Sequence, residues 1–256
     1  MSENTVVATT GDNEAVAEIG LTKENLIKIE EVSKKYLFEN IKVDGELQKA
    51  VLIAQGLKEM QKIVTPEIMA PLMNLMGTTM GFVTDKDDET DKYSVDVVKQ
   101  VLIEGMLNGV FPYNNQLNIL VGRLYIAKNG YTAKISKLED ITDFVWRHEL
   151  VDKTAGGHHW VGFKATWKQS GVEKSLDGEI PIKKYSTDSP DAVMGKGERK
   201  LKYRCYCAMT ETKISEAEEL DATEMLSDKK PTALEDRAAK VKAQAETNTE
   251  KGGKKK

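Results

Sequence analysis

The sequence predicts an α+β fold: N-terminal helices, central β-hairpins forming a small antiparallel sheet, then a C-terminal basic helix and a flexible tail. Three observations predict it. Apolar residues recur at helical spacing before residue 110, they alternate with a period of two in the middle of the chain, and a Ser-Pro-Asp helix start opens the last core segment at Ser189.

Met1 to Gly20 carries four acids, no Lys or Arg, and no periodicity. Residues 1–20 therefore read as a disordered N-terminus and not as a signal peptide. Leu47, Ala50, Val51, Ala54 and Leu57 lie on one face of a first helix. Thr65-Pro66-Glu67 starts the next, with a capping hydroxyl, Pro at the first position and an acid at the positive end of the dipole. Met69, Met73, Met76 and Met80 follow at spacings of four, three and four. Such a stripe can form an adaptable partner surface, but core packing accounts for it more simply. The acidic stretch Asp85 to Asp91 lacks the Gly and the bidentate Glu of a calcium loop, which excludes that reading. Ser94 caps a helix bearing Val98, Leu102, Gly105 and Met106, which stops near Gly109 ahead of Pro112.

In the β-rich part, Leu117, Ile119 and Val121 alternate, and Leu124 to Ala127 leads into Lys128-Asn129-Gly130-Tyr131. Asn-Gly between apolar stretches signals a hairpin turn there. Leu138 to Phe144 reads as the beginning or end of a helix. Val161, Phe163, Ala165 and Trp167 then take one face of a strand, with Lys164 and Lys168 on the other. Ser170-Gly171 turns the chain and Val172 to Lys184 returns it. The Asp191 helix follows, with Leu201, Cys205 and Ala208 on its buried face. From residue 227 the chain is Lys, Ala, Glu and Thr without an apolar stripe, so 227–256 reads as a flexible tail and 21–226 as the core domain.

Composition narrows the function. Apolar runs such as Leu117 to Gly122 fall well short of the roughly 20 residues that span a bilayer. Cys205 and Cys207, two apart on one helix, point about 200° away from each other, so they do not bridge and a reduced, cytoplasmic setting is expected. No GxxxxGK[ST] loop is present, and Gly195-Lys196-Gly197 is too short to cradle phosphates. His158 and His159 face opposite sides of a strand, and the carboxylates form no recognisable metal cluster. Neither a cofactor, nor a metal, nor a catalytic residue is expected.

The net charge is −4, yet it is segregated. Arg123 to Lys137 holds four basic residues and no acid, and Lys183 to Arg204 holds seven against three. On the Asp191 helix, Lys196, Arg199, Lys200, Lys202 and Arg204 interleave with Tyr203. Arg123, Lys128, Tyr131 and Lys134 surround the first hairpin, and Lys164 and Lys168 share one face of the second. Lines of cations neutralise phosphates and release counterions, while interleaved rings offer stacking surface to bases. A solvated basic face is the plainer alternative for the helix alone. Three separate elements with cations, aromatic rings and little acid between them point to single-stranded DNA as the partner. A non-enzymatic scaffold and a metal-dependent nuclease are the rival readings.

The order of blocks resembles the RecT/Red-beta superfamily of phage-type single-strand annealing recombinases over residues 45 to 225. The blocks are Val101 to Pro112, a helix ending in a small-residue turn; Asn118 to Tyr125 with Lys128 to Tyr131; and Asp191 to Arg204, whose Lys196 and Lys200 match the family's basic positions. The chain departs from the family pattern at Thr132, where the family favours Arg or Lys, and at Gly195-Lys196, where it often has two lysines. The resemblance implies ATP-independent binding and annealing of single strands, homo-oligomeric rings or helical filaments, a partner exonuclease, and work in a bacterial host cytoplasm away from membranes.

Overall fold

Caps and buried apolar stripes set the helical layer. The computed structural model describes residues 23–38, 41–86, 92–152, 157–185 and 189–227. The expected N-terminal disorder and the expected tail, apart from Ser227, lie outside the described residues. Helix α1 (Lys23–Lys35), which the sequence pattern did not single out, has Glu24 in its first turn and Lys34 and Lys35 in its last, matching the helix dipole. Helix α2 (Glu46–Ile63) packs through its C-terminal half, burying Gly56 and Met60. The face expected to be buried begins outside: Leu47 is 78% exposed and Val51 48%. A Cβ on Gly56 would stand 2.6 Å from the Tyr36 Cβ, so this glycine lets the end of α1 close onto α2.

Helix α3 (Pro66–Met73) starts where Thr65-Pro66 places it, although the Thr65 hydroxyl makes no capping bond to the backbone. It ends at Met73, so the methionine stripe is broken: Met69 is buried and Met80 is exposed beyond the helix. Helix α4 (Val95–Leu107) is capped by Ser94, whose Oγ accepts from the Val97 amide, and Gly109 takes a φ of 76° just beyond it.

Strands β1 (Leu117–Leu120) and β2 (Arg123–Ile126) form an antiparallel hairpin with Leu120 opposite Arg123. Its two-residue turn is Val121-Gly122, with φ of 54° and 67°, the backbone of a type I′ turn. The turn expected at Asn129-Gly130 is instead the first turn of helix α5 (Lys128–Ile135). Tertiary contacts override the local signal. The Tyr93 hydroxyl donates to Asp85 Oδ1 and accepts from the Gly122 amide, both at 2.7 Å, while Asp85 Oδ1 also accepts from the Val121 amide at 3.1 Å. These bonds hold a β-branched residue in the left-handed region it normally avoids. Gly130 is required for closeness, since a Cβ there would lie 2.2 Å from the Gln116 carbonyl oxygen.

Strands β3 (Ile141–Val151), β4 (His158–Gln169) and β5 (Val172–Lys183) make an antiparallel sheet in that order. The helix expected around Leu138 to Phe144 is strand from Ile141 onward. Leu138, Ile141 and Phe144 recur by threes, as on a helix, and all pack against the core. Within the strand, a bulge between Thr142 and Val145, with Asp143 at φ 53°, accommodates the odd step from Ile141 to Phe144. The second hairpin forms as expected around Ser170-Gly171, with Val161, Phe163, Ala165 and Trp167 all buried.

Helix α6 (Pro190–Thr210), capped by Ser189 through the Ala192 amide, lies across that buried sheet face. Gly197 meets Val161 there: a Cβ would stand 2.8 Å from both Val161 methyls. Glu211 then adopts a left-handed conformation (φ 55°), and the chain returns through α7 (Glu216–Glu219) and α8 (Ala222–Ser227). The main core runs from α1 through α6, and a small satellite joins Leu120, Tyr125 and Ala127 to Ala222 and Met225. The fold is α+β. Among the described residues no helix is long and apolar enough to cross a membrane.

Candidate nucleic-acid interface

Helix α6 carries the basic stretch, and its surroundings decide what those cations can do. An amphipathic helix with one free face would leave Lys196, Arg199, Lys200, Lys202 and Arg204 in solvent. Instead α6 has the sheet on one side, α5 on a second and the 211–227 segment on a third. Leu201 and Cys205 are fully buried as expected, but so, nearly, are Arg199, Lys200, Lys202 and Tyr203. Ala208, expected inside, is exposed. The expectation of an open basic face on α6 is therefore corrected, because the helix is enclosed nearly all round.

A buried cation needs compensation, and each has it. Arg199 donates from Nε to the Ile126 carbonyl at 2.8 Å and from an Nη to the Leu220 carbonyl at 3.1 Å. Its guanidinium carbon lies 4.3 Å from the Tyr125 ring centroid and 5.6 Å from that of Tyr131, within cation–π range. Lys200 pairs with Glu224 at 3.2 Å, and Arg204 grips Glu219 with two bonds of 2.6 and 3.3 Å. Lys202 pairs with Glu198 at 2.7 Å and sits 4.5 Å over the Trp146 ring. Lys128, which is exposed, reaches the same Glu198 at 3.0 Å. Lys196 is half-buried, 5.0 Å over the Tyr185 ring.

The tyrosines are structural too. Tyr131 of α5 is 1% exposed, lies 5.3 Å from Tyr203 ring to ring, and donates its hydroxyl to Glu218 at 3.0 Å. The Tyr203 hydroxyl accepts from the Ser215 amide at 2.6 Å. Burial pushes both hydroxyls above their ordinary range. Lys134, also expected to be open, is buried. With Lys137 it closes the C-terminus of α4, donating to the Asn108 and Gly109 carbonyls at 3.0 and 2.7 Å, where a helix end favours cations.

Four of the expected residues are exposed. Arg123 opens β2, and Lys128 opens α5. Lys164 and Lys168 stand on the outer sheet face, but acids interleave with them. Lys164 lies in register between Arg147 and Asp177, and Lys168 is bonded to Asp143 at 2.7 Å and stands opposite Glu173. The three expected cationic surfaces thus do not merge into one open track.

The contributors that sequence reasoning missed are acids. Residues 211–227 run back along α6 and place Glu218, Glu219, Leu220 and Glu224 against Tyr131, Arg204, Arg199 and Lys200. A reciprocal cap pins the start of α8. Asp221 Oδ1 accepts from the Thr223 and Glu224 amides, while Glu224 Oε2 accepts from the Asp221 amide at 2.7 Å. The Asp-x-x-Glu spacing was the available signal. Asp221 is fully buried and its Oδ2 has no hydrogen-bond partner, and burial raises its carboxyl above the usual range. Among the described residues, no three His, Cys, Asp or Glu are placed to hold a metal ion. Comparison with family models, with curated proteins and with solved structures finds no match to this chain.

Proposed function

We propose that this chain binds single-stranded DNA and anneals complementary strands without ATP, as a non-enzymatic recombination protein. One observation carries the reading. Arg199, Lys200 and Arg204, with Tyr125, Tyr131 and Tyr203 beside them, form a cation–aromatic stripe whose partners are oxygen atoms of the acidic 211–227 segment and the Ile126 carbonyl. A stripe that holds carbonyl and carboxylate oxygens along a chain has the chemistry to hold phosphates along a strand, with rings for bases. Exposed Arg123, Lys128, Lys164 and Lys168 would supply the first, non-specific contacts. By the same reading the protein assembles into rings or helical filaments, works beside an exonuclease that makes single strands, and acts in a bacterial host cytoplasm.

The test mixes two complementary labelled oligonucleotides with the protein and no ATP. Annealing should be accelerated, and affinity for one strand should fall by orders of magnitude between about 50 and 200 mM salt. Unchanged annealing together with a flat salt response overturns the reading. A second reading, a scaffold, draws on the apolar residues exposed on the N-terminal helices and the link between them: Leu26, Ile27, Phe38, Val43, Leu47 and Val51. Such a scaffold would assemble at any salt concentration without DNA, which light scattering distinguishes.

A further inference from the structure

The acidic return segment has the position and composition of a competitor for the stripe it covers. Glu218, Glu219 and Glu224 touch Tyr131, Arg204 and Lys200, and the Leu220 carbonyl takes Arg199. These α6 positions, 199, 200 and 204, stand one and four residues apart, so the segment's oxygens wrap around adjoining sides of the helix to reach all three. Its apolar anchorage is slight: Ala222 and Met225 against Leu120, Tyr125 and Ala127, set apart from the main core. A fully buried carboxylate, Asp221, with one oxygen lacking a hydrogen-bond partner, further weakens the docked state. Segments held by few apolar contacts open locally at a small fraction of the global unfolding free energy.

We infer that residues 211–227 are an autoinhibitory strap, a built-in polyanion that occupies the basic stripe of α6 and is displaced by single-stranded DNA. This rests on the reading of the chain as a single-strand binder. The strap would suppress weak, adventitious binding and let a long strand, which offers many phosphates at once, compete successfully. Opening it uncovers Arg199, Lys200 and Arg204 together with Tyr131 and Tyr203.

The experiment compares the full chain with Glu219→Gln/Glu224→Gln, using a labelled thymidine oligonucleotide and fluorescence anisotropy. A strap closed nine-tenths of the time weakens apparent affinity about tenfold, so the variant should bind about tenfold more tightly at low salt. Its salt slope should steepen by roughly 0.7 for each cation the strap no longer neutralises. Hydrogen exchange on the unmodified chain supplies the second measurement, independent of any variant's folding. Adding the oligonucleotide should speed exchange at the Ser215, Asp221, Thr223 and Glu224 amides. If the parent binds DNA but the variant binds no better and those amides stay protected, the strap is overturned and the single-strand reading stands. If neither protein binds, the single-strand reading fails and the strap falls with it.

Discussion

Two glycines in one helix should respond oppositely to the same substitution. Gly195 and Gly197 both lie inside α6, where Ala is favoured over Gly by about 1 kcal/mol for backbone reasons alone. A Cβ on Gly195 would meet nothing within 4 Å, so Gly195→Ala should stabilise by about that amount. A Cβ on Gly197 would stand 2.8, 2.8 and 2.9 Å from three carbon atoms of Val161, well inside the 3.5–4.0 Å optimum for carbon pairs. Val161 cannot swing away: it is stiff at χ1, fully buried, and paired on both sides in the central strand. Overpacking of this kind costs about 1–3 kcal/mol. The propensity gain is common to both variants and cancels in their difference, which isolates the steric cost at about 1–3 kcal/mol. For a core of this size each kcal/mol moves Tm by roughly 2–4 °C, so thermal melts should separate the variants by several degrees. Adding Val161→Ala should narrow the gap by relieving the clash, at its own cost in lost packing. If Gly197→Ala melts as high as Gly195→Ala, α6 is not seated on β4 as described.

Lys200→Ala should lower stability by about 1–3 kcal/mol in urea denaturation, because it strips a partner from the part-buried Glu224, whereas Lys164→Ala on the outer sheet face should stay within about 0.5 kcal/mol. Equal effects would mean that Lys200 is solvated. Burial pushes the Cys205 thiol up to about 12 and raises Cys207 as well, so neither should react with an aromatic disulfide reagent at pH 8 until the chain is unfolded. Rapid titration of either thiol in the native protein would contradict their placement. Burial raises the Glu198 carboxyl, but hydrogen bonds and charge from Lys202 and Lys128 outweigh it and hold the group below its ordinary 4.5. A depressed acid contributes stability that is complete above the unfolded value and lost as pH falls through the native one. Glu198→Gln should therefore cost stability at pH 7, with the deficit shrinking below about pH 4.5; a deficit constant with pH would exclude the ion-pair account.

Where one face meets solvent and the other the core, the fold was legible residue by residue. β4 is the clearest case: alternation, turn and return strand all appear in the chain itself, and Ser94 and Ser189 announce their helices. Reading failed where tertiary contacts chose between local options. Asn129-Gly130 is a better intrinsic turn than Val121-Gly122, yet the Asp85–Tyr93 pair secures the latter and the Gln116 carbonyl needs the glycine at 130. The basic helix failed for a related reason. Helical periodicity identifies the face toward the core but is blind to a second cover, and acids 15 to 24 residues downstream of Arg204 and Lys200 supplied one. Lys134 shows the same limit, since nothing local marks a lysine as the closure of another helix's C-terminus.

The bulged β3 and its neighbour β4 also decide how this protein can be watched. All three tryptophans sit on these two strands, Trp146 on β3 with Trp160 and Trp167 on β4. Emission excited at the red edge thus reports the sheet and is dark to the four N-terminal helices. Trp146 stacks on Phe144 at 5.2 Å beneath the Lys202 ammonium, so its signal also senses whether α6 is seated. Far-ultraviolet dichroism weights the helices instead. Recorded on one sample, the two spectra form a pair of separate clocks, and any lag between them times the parting of the helical layer from the sheet.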